Sequence, residues 1–289
     1  MKKILLFLLL LVSLGIAFYN RGDFIRLYND TTTQIQNFDD TDLGSILNEV
    51  GRQILAPTPL NIGGVDKNVV LVKSKIILET NLQRQKNGDM PALKENTFLD
   101  QAAAAKASDM FDRQYFEHKS PTGVDPGKLV NNYGYDYILA GENLILGNFA
   151  SEKEVVQNWM DSLGHRENIL NNRYTEIGVA IIKGTYKGES VWIGVQEFGF
   201  PLSTCDQPDS NLMSQIDFEK AHLDSISIQL DEKKKQFQNT DPKSPAYNQM
   251  ADDYNQLVIS YNLLADQVKL KIADYNSQVS IFNACVVGD

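Results

Sequence analysis

The sequence has few of the residues that most often build reactive or charged sites. Its 289 residues include only three histidines, two cysteines and two tryptophans. The net charge is −10 and no stripe of Lys and Arg runs along the chain. Nucleic acid is therefore excluded as a partner, because phosphate binding needs clustered cations. The overall composition, 43% hydrophobic and 22% charged, is that of an ordinary globular protein with one large domain or two small ones.

The N-terminus carries a strongly apolar run. Met1-Lys2-Lys3 precedes residues 4–19, which are almost entirely apolar. A positive start before a hydrophobic stretch is typical of a Sec-type signal. The run is also close to the roughly 17–25 residues that a spanning helix needs. Residues 1–19 are thus predicted to be either an uncleaved single-pass membrane anchor or a cleaved signal peptide, and both alternatives place the folded part outside the cytoplasm.

The composition divides the following part of the chain into a linker and a globular domain. Residues 20–68 are polar and interrupted by Pro and Gly, which predicts an extracytoplasmic linker. Residues 69–202 are predicted to form one domain in which helices precede an antiparallel pair of strands, an α+β sandwich. The predicted helices are 69–86, 97–116 and 152–162, and the predicted strands are 175–183 and 190–198.

Residues 203–289 repeat apolar side chains at seven-residue spacing. One column of the repeat is Tyr247, Tyr254, Tyr261, Val268, Tyr275 and Phe282. A similar repeat precedes the break at 239–245, so the pattern predicts an antiparallel helical hairpin, a short coiled coil, with an oligomerisation seam as the alternative. Cys205 and Cys285 flank this stretch. An even pair in an exported chain predicts a disulfide that clamps the hairpin, and two free thiols are the alternative.

Three short polar motifs hold the candidate functional residues. They are Tyr115–Gly123 (YFEHKSPTG), Gly141–Leu144 (GENL) and Trp159–Leu170 (WMDSLGHRENIL). His118, Glu142 and His165 lie within them. Because histidine is scarce in this chain, its presence in two polar, glycine-containing motifs predicts a site and not a filler of core volume.

Together these motifs resemble the CAP superfamily (cysteine-rich secretory, antigen 5 and pathogenesis-related proteins), and especially its bacterial, SCP-like YkwD-type branch. The resemblance spans about residues 69–200. It implies an α–β–α sandwich with a surface cleft that many members line with two histidines and two acidic residues. His118, Glu142 and His165 match three of the four positions. The second acidic position is not matched, and Asp161 or Ser162 is its candidate occupant.

The chemistry of this set permits three roles. Two neutral imidazoles beside Glu142 would suit Zn²⁺ or another divalent metal, with His118 and His165 as ligands. A His–Glu pair could also transfer protons in catalysis, although no nucleophile accompanies it. The third role is structural, as a polar cluster that holds loops together. The favoured hypothesis is a binding module for a cell-envelope component or small ligand. The alternative is a metal-dependent hydrolase acting on peptide or peptidoglycan.

Overall fold

The computed structural model describes residues 52–288, so the predicted signal or anchor at 1–19 lies outside the described residues. Two compact units are present. One comprises residues 52–206 with 283–288, and the other comprises residues 207–282. Within 52–288, no helix combines the length and the apolar character required to cross a membrane.

The first unit contains a six-stranded sheet and five α-helices. Its strands are β1 (Gln53–Leu55), β2 (Leu60–Gly63), β3 (Lys94–Glu95), β4 (Tyr137–Gly147), β5 (Glu176–Tyr186) and β6 (Glu189–Pro201). Its helices are α1 (Lys73–Lys86), α2 (Thr97–Arg113), α3 (Pro126–Asn132), α4 (Glu152–Asp161) and α5 (Leu163–Ile169). The three helices and two strands predicted from the sequence are present, with ends shifted by up to four residues.

The sheet is built around three long antiparallel strands. β6 lies between β4 and β5 and pairs with both in antiparallel fashion. The short strands β1 and β2 run parallel to β4 along its outer edge, and β3 runs parallel to β5. Periodicity does not predict β4, because all eleven of its residues are buried and no polar–apolar alternation marks it.

Helices cover both faces of the sheet, which confirms the predicted α–β–α sandwich. On one face α1, α4 and α5 pack on the sheet around Trp159, which is fully buried. On the other face α2 contributes Ala103, Ala107 and Met110, which pack on β4, β5 and β6. Side chains of β6 alternate between the two faces, with Val195 in the α2 core and Phe198 in the α1 core.

The linker prediction does not hold for the last part of residues 20–68. Residues 53–55 and 60–63 are strands of the sheet, so the domain begins well before residue 69. The two prolines that favoured a linker, Pro57 and Pro59, lie between these strands. Proline lacks a backbone N–H and interrupts a ladder, but it does not prevent short strands on either side at a sheet edge.

The second unit is the predicted antiparallel helical hairpin. It is formed by α6 (Ser210–Gln238) and by α7 (Pro245–Val287) up to residue 282. The heptad columns meet in a buried seam of Leu223, Ile226, Leu230, Val258, Tyr261, Ala265 and Val268. Lys271 pairs with Glu219 at 2.6 Å near the open end, and the rings of Phe237 and Tyr247 lie 4.5 Å apart near the turn. These contacts confirm the antiparallel register.

The predicted disulfide is also confirmed. Cys205 and Cys285 are bonded, with their Cα atoms 5.8 Å apart and a sequence separation of 80. Both cysteines belong to the first unit. The hairpin proper is therefore residues 207–282, a shorter range than the predicted 203–289.

Candidate functional site

His118 lies in the loop that follows α2. The helix ends at Gln114, whose left-handed φ of 56° turns the chain out of the helix. Further along the loop, Gly123 adopts a φ of 87°, which favours glycine. The ammonium group of Lys106, a buried residue of α2, donates to the His118 carbonyl. These contacts hold the His118 backbone in place beside the sheet.

The His118 ring is held from both sides. Its Nδ1 lies 2.6 Å from Oε1 of the fully buried Glu142, and its Nε2 bonds to the carbonyl oxygen of Pro57. A carbonyl oxygen and a carboxylate oxygen are both acceptors. Both bonds form together when each ring nitrogen carries a hydrogen, which makes His118 an imidazolium paired with the Glu142 carboxylate.

Glu142 has a second acidic neighbour, Glu197. The two residues lie directly opposite each other on β4 and β6, and both are fully buried. Burial, and next the charge of Glu142, raise the pKa of Glu197 well above its usual range, while Lys106 opposes the shift. The raised pKa favours the neutral, protonated form of Glu197 beside Glu142. Like charges held this close cannot both ionise in a buried site.

His165 is the neutral member of the cluster. It is 1% exposed, and its Nδ1 lies 2.8 Å from the hydroxyl oxygen of Ser162. Burial, and next the charge of His118, lower the pKa of His165 to about 4, while the nearby Leu144 carbonyl opposes the shift. Its Nε2 is buried and has no hydrogen-bond partner among the described residues. His165 therefore stays uncharged at neutral pH.

A network of buried amides fixes β4 against the helices. Asn143 donates to the His165 carbonyl and to Gln196 Oε1, both at 3.1 Å. Gln196 in turn donates to the Thr80 hydroxyl on α1 at 2.8 Å, and Asn168 of α5 donates to Asn143 Oδ1 at 2.9 Å. These bonds join α1, β4, β6 and α5, so they hold the backbone on which Glu142 and Glu197 lie.

The structure brings most, but not all, of the predicted site residues into one cluster. His118 bonds to Glu142, and Ser162 bonds to His165. His165 lies near enough to His118 for the charge of His118 to lower the pKa of His165. Asp161 does not, since its side chain is exposed and accepts a hydrogen bond from Gln157. Glu197 is the acidic residue that sequence reasoning missed. An acidic residue next to Gln196 in the otherwise apolar run of β6 was the available signal.

The cluster does not fit a metal ion. Among residues 52–288, no group of three or more His, Cys, Asp or Glu residues has a metal-binding arrangement. Both ring nitrogens of His118 are engaged in hydrogen bonds, and His165 offers only its Nε2. A catalytic zinc site commonly uses three protein ligands, so the hypothesis that His118 and His165 hold Zn²⁺ or another divalent metal finds no support in this geometry.

An α–β–α sandwich that gathers two histidines and two glutamates beside its central strand has the fold and the cleft of a CAP domain. The comparison with protein families agrees, because residues 79–198 match the cysteine-rich secretory protein family, CAP. Over 125 residues the chain is 42% identical to the uncharacterized protein YkwD of Bacillus subtilis (strain 168). Residues 79–198 are therefore a CAP domain, and the chain is similar to YkwD over part of its length.

The similarity to curated relatives covers part of each chain. The match to YkwD covers 43% of this chain and 46% of YkwD. The uncharacterized membrane protein YlbC of the same organism is 30% identical over 121 residues, which are 42% of this chain and 34% of YlbC. The chain thus matches less than half the length of either curated relative.

Two solved structures are also similar to part of the chain. An outer surface protein from Borrelia burgdorferi is 23% identical with a TM-score of 0.40, over 44% of this chain and 91% of that one. An extracellular SCP-domain protein from Bacillus anthracis is 30% identical with a TM-score of 0.38, over 44% of this chain and 39% of that one.

Proposed function

We propose that this protein is an exported CAP-domain protein whose cleft binds a ligand without catalysing a reaction on it. The observation that carries the proposal is the state of His118. Both of its ring nitrogens donate, one to Glu142 and one to a backbone carbonyl. An imidazolium held in this way has no free nitrogen with which to take a proton from a substrate. It does present an oriented, charge-assisted N–H to a carbonyl oxygen.

The proposed place of action is outside the cytoplasm, at the cell envelope. Residues 4–19 follow Lys2 and Lys3 and have the composition of an export signal or membrane anchor. The Cys205–Cys285 disulfide fits an oxidising compartment. We favour the anchored form, since the run is nearly long enough to span a bilayer. The ligand would then be an envelope component or a small molecule that reaches it.

One observation favours the alternative, an envelope hydrolase. Ser162 and His165 form a hydroxyl–imidazole pair at 2.8 Å, which resembles a nucleophile beside its base. However, the base of such a pair is normally oriented by an acidic group on its second nitrogen. The Nε2 of His165 has no such partner among the described residues. The pair is therefore incomplete as catalytic machinery.

The two functions are separated by one set of measurements on the purified full chain. We expect the wild type to bind isolated cell-wall sacculi, and we expect His118→Ala to bind at least tenfold more weakly. His222→Ala, a substitution of an exposed histidine in the hairpin, is the matched control and should bind like the wild type. Cleavage of peptidoglycan or casein by the wild type that Ser162→Ala and His165→Ala abolish would establish the hydrolase instead. Elemental analysis of the same samples tests the metal.

A further inference from the structure

The outer edge of β4 pairs with a strand in two places and with no strand between them. β1 pairs with residues 139–141 and β2 pairs with residues 145–147, both in the parallel sense. Residues 142–144, which include Glu142, have no paired strand on this side. Four residues of the N-terminal segment, 56–59, lie opposite these three, so the parallel ladder cannot continue across the opening.

The segment at 56–59 reads Ala-Pro-Thr-Pro. Neither proline has an N–H to donate to β4, so the ladder must stop here. The Leu55 carbonyl, which ends β1, accepts a hydrogen bond from Asn168 Nδ2 at 3.1 Å. The short run 56–59 thus leaves the sheet and crosses in front of its edge.

The crossing segment lies across the cleft and contacts it on two sides. On one side the Pro57 carbonyl accepts the bond from His118 Nε2. On the other side Pro57 lies on Gly164 of α5, where an added Cβ would come within 2.7 Å of the Pro57 Cβ. A glycine at 164, directly before His165, therefore leaves room for this proline. Ala56 and Thr58 are exposed, while Pro57 and Pro59 are half-buried.

The geometry points to a binding site for an extended, proline-containing peptide, with residues 56–59 as its occupant within the same chain. This inference rests on the proposed binding function and names its ligand class. Two features recognise such a peptide: the His118 N–H aimed at a backbone carbonyl, and the space over Gly164 for a proline ring. Proline-containing segments are already extended when free, so they lose little entropy on binding.

An occupant in the same chain competes strongly with any peptide added from solution. A covalently attached segment behaves as if present at very high local concentration. An added ligand must therefore displace the segment, so the wild type binds it more weakly than a chain whose segment is loosened. Pro57→Gly/Pro59→Gly does this, because it removes the ring contact with Gly164 and adds backbone freedom to the unbound segment. Thr58→Ala changes an exposed side chain of the same segment and serves as the matched control.

The test is fluorescence anisotropy of a labelled peptide of residues 53–63 (QILAPTPLNIG), titrated with the full chain. We expect Pro57→Gly/Pro59→Gly to bind at least tenfold more tightly than the wild type or Thr58→Ala. Adding His118→Ala to the loosened chain should remove the gain, and a peptide with both prolines replaced by alanine should bind more weakly. A loosened chain that melts cooperatively and binds the peptide no better than the wild type refutes the inference.

Two further measurements keep the test decisive. If the double variant does not fold, Pro57→Gly alone removes the same contact with less added freedom, and the same comparison applies with that chain. Sacculus binding is measured on the same samples. Wall binding by the wild type without peptide binding by the loosened chain rejects the peptide ligand and keeps the binding module. Loss of both rejects the two proposals together.

Discussion

Replacing Glu197 with glutamine should change how the stability of the first unit depends on pH. The pKa of Glu197 is raised in the folded protein, so between about 4.5 and that raised value the folded state holds a proton that the unfolded state has released. Each pH unit in this window lowers the free energy of unfolding by about 1.4 kcal/mol. This contribution is complete below pH 4.5 and is lost as pH rises through the folded pKa. Glu197→Gln mimics the neutral acid and removes the slope.

His165 acts in the opposite direction over part of the same range. Its pKa falls from 6.5 to about 4 on folding, so its contribution is present above pH 6.5 and is lost as pH falls through 4. That shift corresponds to about 3 kcal/mol. The two slopes offset each other between pH 4.5 and 6.5 in the wild type. The Glu197 effect is therefore best seen as a difference between variants, or directly above pH 6.5.

The assay is urea unfolding of the wild type and Glu197→Gln from about pH 5 to 8, followed by tryptophan fluorescence, since Trp159 and Trp192 are both buried in this unit. The stability of Glu197→Gln relative to the wild type should rise with pH by about 1.4 kcal/mol per unit until the pH reaches the raised pKa of Glu197. Glu167→Gln makes the same substitution at an exposed position of α5 and should follow the wild type. A constant difference between Glu197→Gln and the wild type across this range would refute the raised pKa of Glu197.

Three further predictions concern single contacts of the same unit. Glu142→Gln leaves the His118 imidazolium without its buried counter-charge and should cost about 3–5 kcal/mol in the free energy of urea unfolding. Gly141→Ala would place a Cβ 2.2 Å from the Tyr174 hydroxyl and should cost about 1–3 kcal/mol by overpacking, measured in the same way, and an unchanged midpoint would contradict it. Replacing Cys205–Cys285 by two serines should cost roughly 4–5 kcal/mol in the chain-entropy model, and calorimetry should show a lower melting temperature that reducing agent does not lower further.

The sequence predicted the elements whose patterns are set by one buried face. The heptad columns of the hairpin and the two long strands after residue 175 have such faces, and each lies where its periodicity placed it. Periodicity did not predict β4, because both faces of this strand are buried. The two strands within 53–63 were not predicted for another reason: they are short, and two prolines lie between them. What places them in the sheet is pairing with β4, a contact about 85 residues away in sequence.

The candidate site was predictable in part for a similar reason. His118, Glu142 and His165 lie in motifs that are recognisable along the chain. Glu197 is defined by its register with Glu142 across two antiparallel strands, and a single sequence does not reveal that register. Asp161 and Ser162 were therefore the candidates for the second acidic position, because they are near His165 in sequence.

The energetics of this cluster argue that it serves recognition more than stability. Two carboxyl groups and an imidazolium in a sheet carry a desolvation cost that apolar side chains of similar volume would avoid. The arrangement fixes the orientation of the His118 ring. The raised pKa of Glu197 favours its neutral form beside Glu142, and Glu142 Oε1 bonds to His118 Nδ1 at 2.6 Å. The result is one fixed His118 N–H beside the edge of β4, where it bonds to the Pro57 carbonyl. A His118 N–H held in this fixed orientation beside a strand edge is suited to binding the backbone carbonyl of a peptide.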